Sequence, residues 1–334
     1  MFLINVPVVL LTLPATLWLA PLGQRDTTRP WDLISSLLAL VTLSGLVLAI
    51  KSLIATPASL ATGGVAFAVA ALGAWAFVRR QRQLPYPLLD FAIFRNPAFM
   101  AGTLSAIVTL FALAGLQLLT TQRFQLVAGF TPLNAGLLVS VAALGALPSA
   151  LLGGGFLHRV GYRPLISGGL ACAAAGVALV AVGFQHGLPW VIAGMALTGV
   201  GTGAAISVAS TAIISNVPPH RVGMASSVEE GADGFGGLVA VAVLGSLSAA
   251  LYSLSLPVDG SIPATAREGL GAALHLAQSV GEGAWLDAAR SAYDTSYTWG
   301  LWVIVAVLAM GAVLTTRLLR GPAGRPVVGA NPVH

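Results

Sequence analysis

The sequence predicts an all-α, polytopic membrane protein, and three observations carry that expectation. The 334-residue chain is 57% hydrophobic and only 8% charged, with a mean hydropathy of +0.89, whereas soluble domains are about 25% charged. Its apolar residues fall in long uninterrupted runs, each able to cross a ~30 Å hydrocarbon core. Its basic residues alternate in density from one loop to the next, as the positive-inside rule requires of a multi-pass chain.

Nine runs can be placed in order, at about 2–20, 33–51, 60–78, 98–120, 133–156, 164–184, 189–214, 223–250 and 297–318. The first lacks the basic n-region and the small-residue cleavage site of a signal peptide and carries Asn5, Pro7 and Pro14, so it reads as a span. One set of alternate loops carries Arg25, Arg29, Arg79, Arg80, Arg82, Arg95, Arg159, Arg163, Arg221, Arg317, Arg320 and Arg325, and the other only Lys51, Arg123, Arg267 and Arg290. Twelve against four puts the first set and the C-terminus in the cytoplasm and Met1 outside. A chain that starts outside on an apolar span reads as the remainder of something longer.

The long interruption at 253–296 repeats apolar residues at helical spacing, first Ala266, Leu270, Ala273, Leu274 and Ala277, then Leu286, Ala289 and Tyr293. It predicts a pair of short amphipathic helices capping the extracellular face. Glycines cluster inside spans, at 153–155, 199–203 and 231–237. The Gly199-Val-Gly-Thr-Gly run follows no strand, so it predicts close helix packing and not a phosphate cradle.

Composition also excludes function classes. The formal charge of +5 and pI near 10.0 come from basic residues scattered over short loops, which gives topology signals and no nucleic-acid surface. The single cysteine, Cys172, sits in an Ala/Gly-rich run, and the five histidines show no ligand spacing, so neither a disulfide nor a metal site is expected. No HExxH, Ser–His pairing or cofactor motif argues for an enzyme.

Three of the eleven acids lie together at Glu229, Glu230 and Asp233, roughly 12 to 18 Å along a helix beyond Arg221 at 1.5 Å per residue. A carboxylate inside a bilayer costs a few kcal/mol even on lenient scales, so such a group is a functional candidate. Glu229 and Asp233, four apart, share a face. Carboxylates that close share a proton, and a cationic substrate competes with it for the same oxygens. Gln117, Gln122 and Asn134 are candidate cavity hydrogen-bonding groups, and Trp75, Phe111 and Phe235 candidate aromatic faces for a cation.

The segment Gly153–Pro164, GGGFLHRVGYRP, resembles the loop signature of the major facilitator superfamily. Gly154, Arg159, Gly161 and Arg163 match it, and His158 stands where the N-terminal copy of that signature has Asp. Further stretches resemble the fourteen-span drug:proton antiporter branch, the exporters of quaternary ammonium compounds and methyl viologen. They are FLINVPV (2–8), PLLDFAIFRNPAF (87–99), TQRFQLVAGFTPLNAGL (121–137) and VPPHRVGMASSVEEGADGFGGLVAVAVLGSL (217–247).

The resemblance implies the last nine of fourteen spans. Residues 1–20 would be the last helix of an N-terminal bundle and 33–78 two central helices. Residues 98–318 would be a six-helix C-terminal bundle with an insertion at 253–296, and 319–334 a cytoplasmic tail. It implies proton-coupled efflux of organic cations across the cell membrane by alternating access, with the proton gradient in place of any cofactor. Glu229, Glu230 and Asp233 would couple protons or bind substrate, and the 154–163 loop would serve the cytoplasmic gate. Two other readings stay open: transport of a different small solute, and an inactive truncated copy or a subunit that needs an N-terminal partner.

Overall fold

The structure, a computed structural model, describes residues 5–19, 32–54, 59–84, 87–257, 262–280 and 283–321. Arg25, Arg29 and Arg325 of the charge count, and most of the 319–334 tail, lie outside them. The described residues form eleven α-helices: α1 (Asn5–Leu19), α2 (Leu33–Ile54), α3 (Leu60–Gln83), α4 (Pro97–Leu126), α5 (Pro132–Val160), α6 (Tyr162–Gly183), α7 (Leu188–Ile214), α8 (Val222–Ser255), α9 (Ala264–Arg267), α10 (Leu270–Val280) and α11 (Ala284–Leu318). No strand occurs among the described residues, as a bilayer solvent that cannot satisfy open backbone edges demands.

Eight of the nine expected spans are matched by helices long and apolar enough to cross, namely α2 to α8 and α11. The first expected span, 2–20, appears as α1, whose 15 residues reach about 22 Å at 1.5 Å per residue, below the ~30 Å of a hydrocarbon core; residues 2–4 and 20 of that span lie outside the described residues. The pair of short helices expected at 253–296 takes a different form. α9 and α10 are short, but the run containing Leu286, Ala289 and Tyr293 is the first part of the 35-residue α11, continuous with the last span. Nothing between Ala284 and Tyr297 breaks a helix, so the backbone continues through the interface.

Helix starts follow local chemistry. The Asn96 side-chain oxygen accepts the N–H of Ala98 at 2.9 Å and of Phe99 at 3.4 Å, with Pro97 at the first helical position of α4. Thr131 and Pro132 repeat this at α5. Gly161 alone separates α5 from α6, at φ +85°, a conformation that strains any residue with a Cβ.

The six helices α4 to α8 and α11 form the packed bundle. α7 lies between α5 and α6, α4 packs on α7, α8 and α11, and α6 packs on α11; the α2–α3 hairpin meets the bundle through α8. Small residues permit this closeness, as the clustered glycines predict. A Cβ at Gly199 or Gly203 would strike the carbonyl oxygens of Ala142 and Ala146 on α5, and one at Gly201 the backbone of Ala173 on α6. Buried hydroxyls add Ser167–Thr315 at 3.0 Å and Thr120–Tyr297 at 3.3 Å across helices. A separate core of Tyr252, Leu256, Ile262, Ala266, Leu270, Leu286 and Tyr293 fastens α9 and α10 over the ends of α8 and α11. That end is the capped end; the opposite, with Arg79, Arg80, Arg82, Arg95, Arg159, Arg163, Arg221 and Arg317, is the basic end.

Candidate functional site

α8 follows a single 3₁₀ turn, Pro219–Arg221, which Asp90 holds from the α3–α4 connection by an ion pair to Arg221 at 2.6 Å. One row of α8, Ala225, Ala232, Gly236, Ala240 and Leu244, is buried and meets α4 and α11. Another row, Phe235, Leu238 and Ala242, meets Leu43, Leu46 and Ile50 of α2. At about 100° per residue, Glu229 lies at the edge of the buried row, Asp233 further round and roughly opposite the α2 row, and Glu230 further still. Exposure follows this order: Glu229 and Asp233 are half-buried and Glu230 is exposed.

None of the three carboxylates makes an ion pair or hydrogen bond with another described residue, whereas Asp32, Asp90, Asp287 and Asp294 are each paired to an arginine. Gly234, about 40° round the helix from Glu230, has no heavy atom within 4 Å of where a Cβ would stand. The face on the Glu230 side of the acids is therefore open among the described residues.

A cavity of about 450 Å³ lies between α4, α5 and α7. Leu113, Leu116, Val139, Ala143, Leu147 and Met195 make it apolar, and Gln117 projects the one side-chain amide into it. That amide has no hydrogen-bond partner among the described residues. The acids and the amide of this cavity occupy different heights. Gly236 abuts Ile107, and Leu244 abuts Gly115, so α4 and α8 run parallel in register and Asp233 is level with Leu104. Gln117 lies thirteen residues beyond Leu104, about 20 Å further toward the capped end at 1.5 Å per residue.

The other candidates are dispersed. Gln122 lines a second cavity at the capped end and accepts from the Tyr293 hydroxyl at 3.0 Å. Asn134 is exposed in the first turn of α5, its N–H donating to the Thr131 hydroxyl at 3.3 Å. Phe111 is buried in the bundle core, Phe235 faces α2, and Trp75 carries the Arg79 guanidinium 5.3 Å over its ring. Gly154, His158, Arg159, Gly161 and Arg163 stand together at the α5–α6 turn; His158, Arg159 and Arg163 are exposed and unpaired among the described residues.

Sequence reading did not single out the small residues that open the apolar cavity, Ala142, Ala146 and Ala150. Their only signal is an i, i+4 alanine row, shared with ordinary packing faces. It also missed the Arg123–Asp294 pair (2.9 Å), whose partners are 171 residues apart.

The family profile of the Major Facilitator Superfamily matches residues 1–228 and 118–331. Among curated proteins, the multidrug efflux pump LfrA of Mycolicibacterium smegmatis is 29% identical over 93% of this chain and 63% of its own length. The methyl viologen resistance protein SmvA of Salmonella typhimurium is 28% identical over 94% of this chain and 64% of its own. The multidrug resistance protein Stp of Mycobacterium tuberculosis is 30% identical over 76% and 48%. This chain thus spans less than two thirds of the length of these relatives. Among solved structures, a bacterial homologue of the human lysosomal transporter Spinster superposes with a TM-score of 0.56 over 85% of this chain and 64% of that chain, at 19% identity, a likeness of fold.

Proposed function

Since this chain belongs to the Major Facilitator Superfamily, a family of multi-pass membrane transporters and not of enzymes, we propose that it serves proton-coupled efflux of organic cations, with Glu229 and Asp233 exchanging a proton for the substrate. The observation that carries this reading is the trio of carboxylates within a spanning helix, bordering open space and lacking a cation among the described residues. Asp32, Asp90, Asp287 and Asp294 are each paired to an arginine; the three α8 carboxylates are available to a proton or a substrate cation.

Relatives named for multidrug efflux and methyl viologen resistance support the substrate class. The apolar cavity with its lone amide favours an amphipathic organic cation over a sugar or amino acid, which would require many convergent polar groups. In this reading the bundle is one wall of an alternating-access cavity, the chain corresponds to the last spans of a fourteen-span exporter, and further helices supply the other wall. Glu230, more exposed, tunes the field of its neighbours, and the His158, Arg159 and Arg163 turn belongs to the gate at the basic end. That end faces the cytoplasmic side of the cell membrane in this reading, which the arginine asymmetry supports.

The test is proton-gradient-driven efflux of ethidium from cells expressing the chain in its native gene context. Glu229→Gln should abolish efflux at an unchanged membrane level, and full efflux by that variant removes Glu229 from the mechanism. Asp233→Asn should affect monovalent and divalent cations unequally; an equal effect assigns it a structural part.

A further inference from the structure

α3 finishes at the basic end with Arg79, Arg80 and Arg82, and the structure divides these three arginines. Arg80 turns toward α2, where it donates two hydrogen bonds to the Asp32 carboxylate, at 2.8 and 2.9 Å. Arg79 and Arg82 are exposed and make no ion pair or hydrogen bond among the described residues. With Trp75, Val78 and Gln83 they line a recess of about 340 Å³ on α3. The Arg79 guanidinium lies 5.3 Å over the Trp75 ring, a cation–π contact that holds the charge at the recess and leaves its N–H donors without a protein acceptor.

The recess stands where the polar layer of a bilayer begins. Leu60–Val78 is an uncharged run of nineteen residues, about 28 Å at 1.5 Å per residue and so close to the ~30 Å of a hydrocarbon core. Trp75 is then within one turn of the core boundary, where aromatic rings anchor spans, and Arg79 and Arg82 lie at the level of the headgroups. At about 100° per residue, Val65, Leu72, Trp75, Arg79 and Arg82 share an arc of roughly 100°. All five are exposed, and they stand opposite Ala70, Gly73 and Gln81, which are buried against α2.

An apolar stripe, an aromatic ring and two open guanidiniums in that order match a phospholipid laid along the helix. Its acyl chain would follow Val65 and Leu72, its glycerol would lie beside Trp75, and its phosphodiester oxygens would accept from Arg79 and Arg82. No carboxylate lines the recess among the described residues, so the ammonium of a zwitterionic headgroup finds no partner there, whereas a headgroup of net negative charge meets two cations. From this juxtaposition we propose that the Trp75–Arg79–Arg82 recess is a binding site for an anionic phospholipid headgroup. It lies on the side of α3 turned away from α2, through which the hairpin meets α8, and it goes beyond the efflux reading without requiring it.

The experiment is native mass spectrometry of the purified full chain in detergent, titrated with dioleoylphosphatidylglycerol and, separately, with dioleoylphosphatidylethanolamine. Phosphatidylglycerol should bind more tightly than phosphatidylethanolamine. Arg79→Gln/Arg82→Gln should weaken the tightest phosphatidylglycerol site about 25-fold, from about fivefold for each arginine near a membrane surface. Trp75→Leu should weaken it about two- to fivefold, the range of an exposed cation–π contact. Arg317→Gln/Arg320→Gln removes the same charge at the same spacing beside the α11 terminus, with no aromatic residue within four positions, and should leave that site unchanged. Equal affinity for the two lipids, or equal losses in the two double variants, overturns the proposal. Displacement of the lipid by millimolar inorganic phosphate assigns the recess to a free anion and overturns it as well. None of these readouts depends on transport, so failure of the efflux reading and failure of this site are distinguishable.

Discussion

Gly168 and Gly169 are neighbours in α6 with opposite surroundings, and the contrast isolates what helix packing contributes. A Cβ at Gly168 meets nothing within 4 Å, whereas one at Gly169 would stand 2.7 Å from the Gly201 carbonyl oxygen, 3.1 Å from Ala205 N and 3.2 Å from Ala205 Cβ. Ordinary contact begins near 3.4 Å, so Gly169→Ala must push α6 and α7 apart by about 0.7 Å, and both obstacles below 3.2 Å are backbone, which cannot rotate aside. A gap of that size forfeits roughly a quarter to a half of each dispersion well along the seam, and overpacking of this kind costs about 1–3 kcal/mol. Alanine gains roughly the same helix propensity over glycine at either position, about 1 kcal/mol, so that gain cancels in the comparison. Reversible unfolding by SDS titration in mixed micelles should therefore place Gly169→Ala about 1–3 kcal/mol below Gly168→Ala, with Gly168→Ala no less stable than the parent. Equal midpoints for the two variants would falsify the claim that α6 and α7 are in backbone contact at this position.

Two further predictions concern ion pairs. Asp294 binds Arg123 through two hydrogen bonds, and Arg123, with its side chain 13% exposed, also lies over Phe124 and Phe184. Asp294→Asn should lower the unfolding free energy by about 1–2 kcal/mol, and Arg123→Lys should lose a similar amount because an ammonium neither forks nor stacks; wild-type stability of the lysine variant in the same SDS titration would refute the bidentate role. At the start of α2, the Arg80 guanidinium, with the Ser35 hydroxyl, holds the Asp32 carboxyl well below the usual carboxylate range. A depressed folded value means that this contribution to stability is fully present above the ordinary Asp pKa of about 3.9 and is lost as pH falls through the folded value. Stability should fall on acidification below about pH 4, and Asp32→Asn should flatten that part of the curve; an unaltered acid limb in the variant assigns the loss to other groups.

The sequence by itself determined the helical class and eight of the nine expected spans, and it made the α8 acids conspicuous, because a bilayer leaves helix as the only backbone solution for long apolar runs and makes any carboxylate within them stand out. It also marked the α5–α6 turn, where Gly161 at φ +85° is the single residue between two helices. The continuity of α11 through the interface was not legible, since amphipathic and fully apolar periods meet there without a breaking residue. Which candidates share a site was decided by tertiary structure alone. Gln117 and Asp233 look equivalent as polar residues in spans, yet helix register sets them about 20 Å apart along the bundle, while Gln122 joins Tyr293 across 171 residues. Composition dictates that a helix crosses the membrane; rotation and height within the bundle, fixed by small residues such as Gly199, Gly201 and Gly236 seated against neighbouring backbones, dictate what its polar side chains face.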